Sequence, residues 1–178
     1  MNMFEGAARV PLMICAPELA PGLVHVPVST IDLCPTLCAL AGVSMTEVMP
    51  WTDGVNLLPV ARGADRGIVA MEYAAEGTIT PMVALREGVW KYVACAADAE
   101  MLFDLGGDPQ ELVNRAADPG CAGQIALFRG EVAARWDLAR FDSAVRESQA
   151  RRRVVYQALR QGGYYPWDYQ PLRQAAER

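Results

Sequence analysis

The first long apolar segment of the 178-residue chain lies near its start. Residues 10–16 form an unbroken run, VPLMICA, which Pro17 ends. Because the run lacks polar alternation, it predicts a strand that is covered on both faces, as in a parallel α/β sheet. Such a strand needs sheet neighbours, and no other run in the chain repeats its pattern. We therefore expect the chain to be the C-terminal part of a larger α/β protein, whose other strands come from a preceding part or from another chain.

The middle of the chain predicts a small antiparallel sheet. Four short runs with strand-like composition follow one another without a helical pattern between them. They are residues 67–73, 82–86, 89–94 and 101–105. Glu87 and Gly88, between the second and third runs, are typical of a tight hairpin turn.

Helical patterns lie on both sides of these strands. Ser29 and Thr30 are both suitable N-caps for a helix that extends to about residue 40. Turn-forming residues dominate residues 44–66 and predict a loop. Apolar residues recur at helical spacing over residues 123–160, with a break expected near residues 141–142.

These elements predict an α/β fold class with α+β character. The chain would supply the terminal strand and helix of a larger α/β core sheet, then a four-stranded antiparallel subdomain, a long helix and an extended tail. We expect three parts: a remnant of the α/β core at residues 1–66, the antiparallel subdomain at residues 67–122, and the helical region with its tail at residues 123–178.

The composition is that of a globular protein. Hydrophobic residues make up 52% of the chain and charged residues 21%, so wholesale disorder is excluded. No run approaches the roughly 18 apolar residues that a membrane span needs, and the N-terminus lacks the pattern of a secretory signal. The five cysteines have no C-x-x-C spacing, which favours reduced thiols. These features predict a cytoplasmic protein without membrane contact.

Charge is distributed unevenly along the sequence. The formal net charge is −5, which argues against general nucleic-acid binding. Residues 144–178 nevertheless contain seven arginines and three acidic residues, so a basic tail follows an acidic body. Arg151, Arg152 and Arg153 point around a helix rather than along one stripe, which favours a solvated or salt-bridged helix. The complementary charges predict that the tail docks on its own body or on a second copy.

Sequence motifs of common catalytic sites are absent. No Gly-x-Ser-x-Gly elbow, P-loop or Gly-x-Gly-x-x-Gly occurs, and His25 is the single histidine. Glu5 and Arg9 stand just before the apolar run, where a salt bridge between them would fix the start of the predicted strand.

Two other carboxylates stand out. Glu76 lies at the end of a predicted strand, a common location for functional sites. Asp168 lies within an aromatic tail segment that contains Tyr164, Tyr165, Trp167 and Tyr169. This segment predicts either a patch that anchors the tail or a cage for an organic cation. A quaternary ammonium has no N–H to donate, so aromatic faces and nearby carboxylates recognise it.

Several short motifs share the order and residue types of one enzyme family. They are EGAARVP at 5–11, Asp32-x-x-Pro35-Thr36, DGVNL at 53–57, Lys91-Tyr92, LFDL at 102–105, DPQE at 108–111 and Asn114. Together they resemble the C-terminal portion of a type I sulfatase of the alkaline-phosphatase-like superfamily. The segment EYAAEGTITPMVALREGVWKYV at 72–93 and the tail at 148–171 resemble choline sulfatases in particular.

The resemblance implies a reaction and its cofactors. It implies hydrolysis of choline O-sulfate to choline and sulfate through a formylglycine made from a cysteine, with a bound Ca²⁺ or Mg²⁺. The family's C-x-P-x-R maturation motif and its metal-binding loops do not occur in this sequence. We therefore expect no catalytic residue and no metal ligand here, and no activity of the chain alone. The alternative is a non-catalytic remnant or scaffold that needs a separate N-terminal part.

The resemblance also implies which residues recognise the substrate. In choline sulfatases, aromatic residues and carboxylates hold the trimethylammonium end. Glu76 matches one of these carboxylates and Asp168 the other, with the tail extending to the site of a neighbouring subunit. We therefore expect a homo-oligomer that binds choline sulfate and no nucleic acid.

Overall fold

The computed structural model describes residues 2–75 and 77–162. The chain divides into two compact units, Met1–Ala139 and Arg140–Arg178. The helices are α1 Glu5–Ala8, α2 Leu33–Leu40, α3 Met45–Val48, α4 Leu57–Ala61, α5 Ala122–Arg135 and α6 Leu138–Gln161; the strands are β1 Val69–Tyr73, β2 Met82–Glu87, β3 Trp90–Cys95 and β4 Met101–Asp104. Two 3-10 helices, Thr30–Asp32 and Pro119–Cys121, precede α2 and α5.

The four strands form one antiparallel sheet in the order β1-β2-β3-β4. Glu87 pairs with Trp90, which leaves Gly88 and Val89 as a two-residue hairpin turn. Gly88 has a φ of 52°, a conformation that costs glycine little because it has no Cβ. The predicted sheet and its hairpin are confirmed.

The two faces of the sheet are covered by different parts of the first unit. On one face, Val83, Leu85 and Leu102 are fully buried, and Tyr92 stacks on Phe128 of α5 with ring centroids 5.7 Å apart. Side chains alternate between faces along a strand. The opposite face therefore carries Ala84 and Val93, which pack with four methionines and a tyrosine: Met3, Met71, Met82, Met101 and Tyr73.

The predicted helix at residues 29–40 forms as a 3-10 turn that continues into α2. The Ser29 side chain accepts a hydrogen bond from the Ile31 amide, and the Ser29 amide donates to Asp32 Oδ2 over 2.8 Å. This reciprocal cap satisfies backbone donors that a helix start leaves unpaired. Pro35 is tolerated because it lies in the first turn of α2, where the helix needs no N–H from it.

The loop prediction for residues 44–66 is partly wrong, because α3 and α4 form there. The Asn56 side chain accepts from the Leu58 amide over 3.0 Å and caps α4. Leu57, Leu58 and Val60 are buried, so packing offsets the local preference for turns.

The strand predicted at residues 10–16 does not form in the described chain. Its side chains face solvent: Val10 is 56%, Leu12 43% and Met13 94% exposed. A strand exists only when a neighbour pairs with its backbone, and the sheet of the described residues extends from β1 to β4 without this segment. The segment thus has strand-like composition without a sheet to join.

The long helical region is broken as predicted, but at a different place. Helix α5 ends at Arg135 and α6 begins at Leu138, so the break lies at residues 136–137 rather than 141–142. Trp136 is extended there, with φ −127° and ψ 134°. Helix α6 has no buried residue, and two i,i+4 ion pairs at 2.7 Å lie on its surface: Asp142 with Arg146 and Glu147 with Arg151.

Among the helices that the structure describes, none is long and apolar enough to span a bilayer.

Candidate functional site

The two carboxylates predicted to bind substrate, Glu76 and Asp168, lie outside the described residues, as do the tail aromatics at 164–169. Their roles stay predictions. The structure does describe the chain on both sides of Glu76. Strand β1 ends at Tyr73, and the Thr78 hydroxyl donates to the Ala75 carbonyl over 3.1 Å.

An indole and a carboxylate meet at strand β1. Trp136 Nε1 donates a hydrogen bond to Glu72 Oε1 over 2.5 Å, across 64 residues of sequence. The structure places the Trp136 ring at the end of α5, beside β1. No local pattern points to this pairing, since the two partners lie in separate elements.

A buried ion cluster lies on the methionine-bearing face of the sheet. Lys91 of β3 is 0% exposed, and its Nζ lies 3.0 Å from Glu5 Oε1 and 2.8 Å from Glu111 Oε1. The Glu5 amide donates to Glu111 Oε2 over 2.5 Å. Arg86 is the β2 partner of Lys91; burial lowers its pKa, and the charges of Glu5 and Glu111 act in the opposite direction.

This cluster corrects one sequence prediction. Glu5 was expected to pair with Arg9, four residues away, but its cationic partner is Lys91, 86 residues away. Lys91 and Glu111 are both residues of the motifs that carry the family resemblance. Those motifs were the available indication that the two residues work together.

A second buried pair organises the segment after α2. Asp32 is 0% exposed; its Oδ1 lies 2.7 Å from Arg66 and accepts the Val55 amide over 2.9 Å. The Thr36 hydroxyl donates to the Asp32 carbonyl and accepts the Leu57 amide. The motif residues Asp32 and Thr36 therefore hold the 53–57 loop in place.

A groove of about 510 Å³ lies beside the end of β3 and the loop that leads to β4. Tyr92, Glu100 and Asn114 are among the residues that line it. Burial and the hydrogen bond that Tyr92 donates to Glu100 over 2.7 Å raise the pKa of Tyr92. Hydrogen bonding to Arg129 is the main cause that lowers the pKa of Glu100. The Glu100 carboxylate in the groove is thus already engaged by Tyr92 and Arg129.

The described residues do not fit the divalent metal that the resemblance implies. Within residues 2–75 and 77–162, no group of three or more His, Cys, Asp or Glu side chains could hold a metal ion. Glu5 and Glu111 bring two carboxylates together, but the Lys91 ammonium lies between them. Cys15 is exposed, Cys121 is buried and the other three thiols are half-buried; each is free, and none is followed by the maturation motif.

Family models cover almost the whole chain. The model described as "N-sulphoglucosamine sulphohydrolase, C-terminal" matches residues 1–134. The model described as "Choline sulfatase enzyme C terminal" matches residues 143–178. The chain belongs to the sulfatase family. The predicted resemblance to the C-terminal portion of a type I sulfatase, and to choline sulfatase within that family, is confirmed.

The chain aligns with only part of the length of known sulfatases. The choline-sulfatase of Rhizobium meliloti (strain 1021) is 60% identical over 182 residues, which cover 100% of this chain and 36% of the relative. Human arylsulfatase K is 31% identical over 130 residues, covering 65% of this chain and 24% of the relative. The chain thus spans about a third or less of the length of these sulfatases.

Solved sulfatase structures share the fold. A sulfatase from Bacteroides thetaiotaomicron VPI-5482 superposes with a TM-score of 0.52 and 30% identity, over 64% of this chain and 25% of that one. The 2-O GAG sulfatase BT1596 gives 0.50 and 32%, over 58% and 23%. The predicted fold class, a sulfatase fragment with a four-stranded antiparallel sheet, is confirmed.

Proposed function

We propose that this chain is the C-terminal part of a sulfuric ester hydrolase that converts choline O-sulfate to choline and sulfate. The observation that carries the proposal is the 60% identity to a choline-sulfatase across the full chain, the basic tail included. The match of residues 143–178 to the choline sulfatase C-terminal model supports the same substrate.

The formylglycine nucleophile and the metal ligands of such an enzyme would lie in a part of the protein outside this chain. The described residues support this division, because the neighbouring carboxylates of Glu5 and Glu111 already hold Lys91. The exposed apolar segment at residues 10–16 supports it as well. The strands of the catalytic part would bury Val10, Leu12 and Met13. Burial of one such side chain stabilises a protein by roughly 1.5–3 kcal/mol.

The chain's own contribution is recognition of the choline end. A trimethylammonium group is bound by aromatic faces and carboxylates, since it offers no N–H donor. In the sequence, Glu76 follows β1, and Asp168 belongs to the aromatic tail. We assign these two carboxylates to the substrate cation.

The helical end of the chain would supply contacts between subunits of a cytoplasmic homo-oligomer. Helix α6 has no buried residue and carries exposed apolar side chains next to its arginines. They are Val154, Val155, Tyr156 and Leu159. An apolar strip flanked by arginines suits a second copy, whose body is acidic.

The test uses the full-length protein that contains this chain. We expect Glu76→Gln and Asp168→Asn each to lower kcat/KM for choline sulfate at least 30-fold, with little change for a neutral aryl sulfate. Glu47→Gln is the matched control, because Glu47 is an exposed carboxylate of α3. Variants that keep wild-type kcat/KM for the choline ester would overturn the site assignment. No sulfate-ester turnover by the wild-type protein would favour the non-catalytic alternative.

A further inference from the structure

The segment formed by residues 2–9, here called the leading segment, is fixed across the sheet by its own side chains. Met3 is 7% exposed and packs with Ala84 and Val93. The Phe4 ring lies 5.8 Å from that of Phe103 in β4. These apolar contacts place Glu5, the next residue, above β3.

Lys91 then joins the leading segment to two distant parts of the chain. Its ammonium contacts Glu5 in α1 and Glu111 beyond β4, and no part of Lys91 is exposed. The Glu111 side chain is also buried, whereas that of Glu5 is 25% exposed. Charged groups in such surroundings stabilise one another only as a set, because removing one leaves the others uncompensated.

The backbone of Glu111 is held in an unusual conformation at the same point. Its φ of 58° lies in the left-handed region, which residues with a Cβ adopt at a cost. The Glu111 amide donates to the Asp108 carbonyl over 3.1 Å, and the Glu111 carboxylate accepts from the Glu5 amide and lies 2.8 Å from Lys91 Nζ. The cluster thus holds Glu111 in this conformation while fixing α1.

The contacts of the leading segment contrast with those of the residues after it. Val10 is 56% and Met13 94% exposed, so the close packing of the leading segment does not continue into the apolar run. The leading segment and the apolar run together form the part of the chain that would meet the catalytic part of the enzyme.

We propose that Lys91 is a positioning residue. It fixes the leading segment on the antiparallel sheet and thereby determines where the catalytic part of the enzyme packs against that sheet. This inference rests on the proposed function. Lys91 itself makes no contact with the reacting atoms in this proposed role. Its effect on the reaction passes through α1 and the placement of the groups that the other part carries.

The first experiment measures hydrogen exchange of the Glu5 amide in the 178-residue chain. We expect Lys91→Met to accelerate this exchange at least 100-fold relative to the amides of β2. Arg66→Met is the matched control, because it breaks the buried Asp32 pair without touching the leading segment. Equal Glu5 exchange in wild type and Lys91→Met would overturn the proposal.

Glu5→Gln serves as a second variant if Lys91→Met does not fold. It keeps the pair between Lys91 and Glu111, and removes one charge at a carboxylate that is already 25% exposed. We expect it to accelerate exchange of the Glu5 amide about 10-fold. No acceleration in this folded variant would overturn the proposal.

The second experiment measures turnover of choline sulfate by the full-length protein. We expect Lys91→Met to lower kcat at least 10-fold with KM within threefold of wild type, because misplaced reacting groups slow the chemical step. Arg66→Met should keep its kcat at a temperature where both variants are folded. An equal loss of kcat in the two variants would reduce Lys91 to a general stabilising role and overturn the proposal. If the wild-type protein turns over no sulfate ester, the proposed function is wrong. The exchange experiment still tests whether Lys91 fixes the leading segment on the sheet.

Discussion

The antiparallel sheet and the apolar run at residues 10–16 are both rich in apolar side chains, yet they differ in what covers them. In the sheet, Val83, Leu85 and Leu102 are fully buried between neighbouring strands and α5. In the run, Met13 is 94% exposed. The sheet's partners follow one another along the chain, whereas the run has a composition suited to partners that the described residues do not provide. Burial in this chain is therefore decided by where the partners lie, and apolar composition alone does not decide it.

Truncation of one core ring should sharpen this contrast most strongly. Phe128 is 0% exposed and stacks on Tyr92, so we expect Phe128→Ala to lower the free energy of unfolding by about 3–5 kcal/mol. Met13→Ser, in the exposed run, should change it by less than about 0.5 kcal/mol. Urea denaturation followed by tryptophan fluorescence checks both values. A loss at Met13 that equals the loss at Phe128 would mean that the run is buried in solution.

The sheet was predictable because its determinants are local. The glycine turn at residues 88–89 and the apolar runs on either side of it define β2 and β3, and the observed register follows from a two-residue loop. Helix α4 was missed for a physical reason. Its start depends on the Asn56 cap and on burial of Leu57 and Leu58, and burial cannot be read from turn-forming residues.

The ion cluster shows where prediction from local sequence ends. Arg9 is the nearest cation to Glu5 in sequence, but the fold brings Lys91 to Glu5 across 86 residues. Nothing in the spacing of charges reveals a contact of that range. The family motifs did group Lys91 with the DPQE segment, although they could not say that the two residues share a buried cluster.

A glycine in the 53–57 loop tests a contact of intermediate range. A Cβ at Gly54 would lie 2.3 Å from the Ile31 carbonyl oxygen, so the backbone would have to move. We expect Gly54→Ala to lower the free energy of unfolding by about 2 kcal/mol. Gly6→Ala is the control, because a Cβ at Gly6 of α1 meets nothing within 4 Å and alanine favours a helix. If Gly54→Ala is as stable as wild type, the 53–57 loop does not pack closely against the Ile31 carbonyl, and this prediction is wrong.

The smallest expected effect is a pH dependence of stability that arises from Tyr92 in β3. The pKa of Tyr92 is raised above its ordinary value, first by burial and then by the hydrogen bond to Glu100. The native state therefore keeps the phenol proton where the unfolded chain has begun to lose it. The stability that this gives is complete below about pH 10 and is lost as the pH rises above that value. We expect the urea midpoint to fall between pH 9 and pH 11.

Tyr92→Phe is the matched variant for this titration. It keeps the ring that stacks on Phe128 and removes the group that loses its proton. The variant should be less stable than wild type at pH 8, because Glu100 loses a hydrogen bond, and its urea midpoint should fall less between pH 9 and pH 11. If the urea midpoint falls equally in both proteins, the group that titrates is not Tyr92. The hydrogen bond to Glu100 would then add nothing to the pH dependence of stability, whereas the packing of Tyr92 on α5 would be unaffected. The stacked ring would then account for the burial of this face of the sheet without help from the hydroxyl.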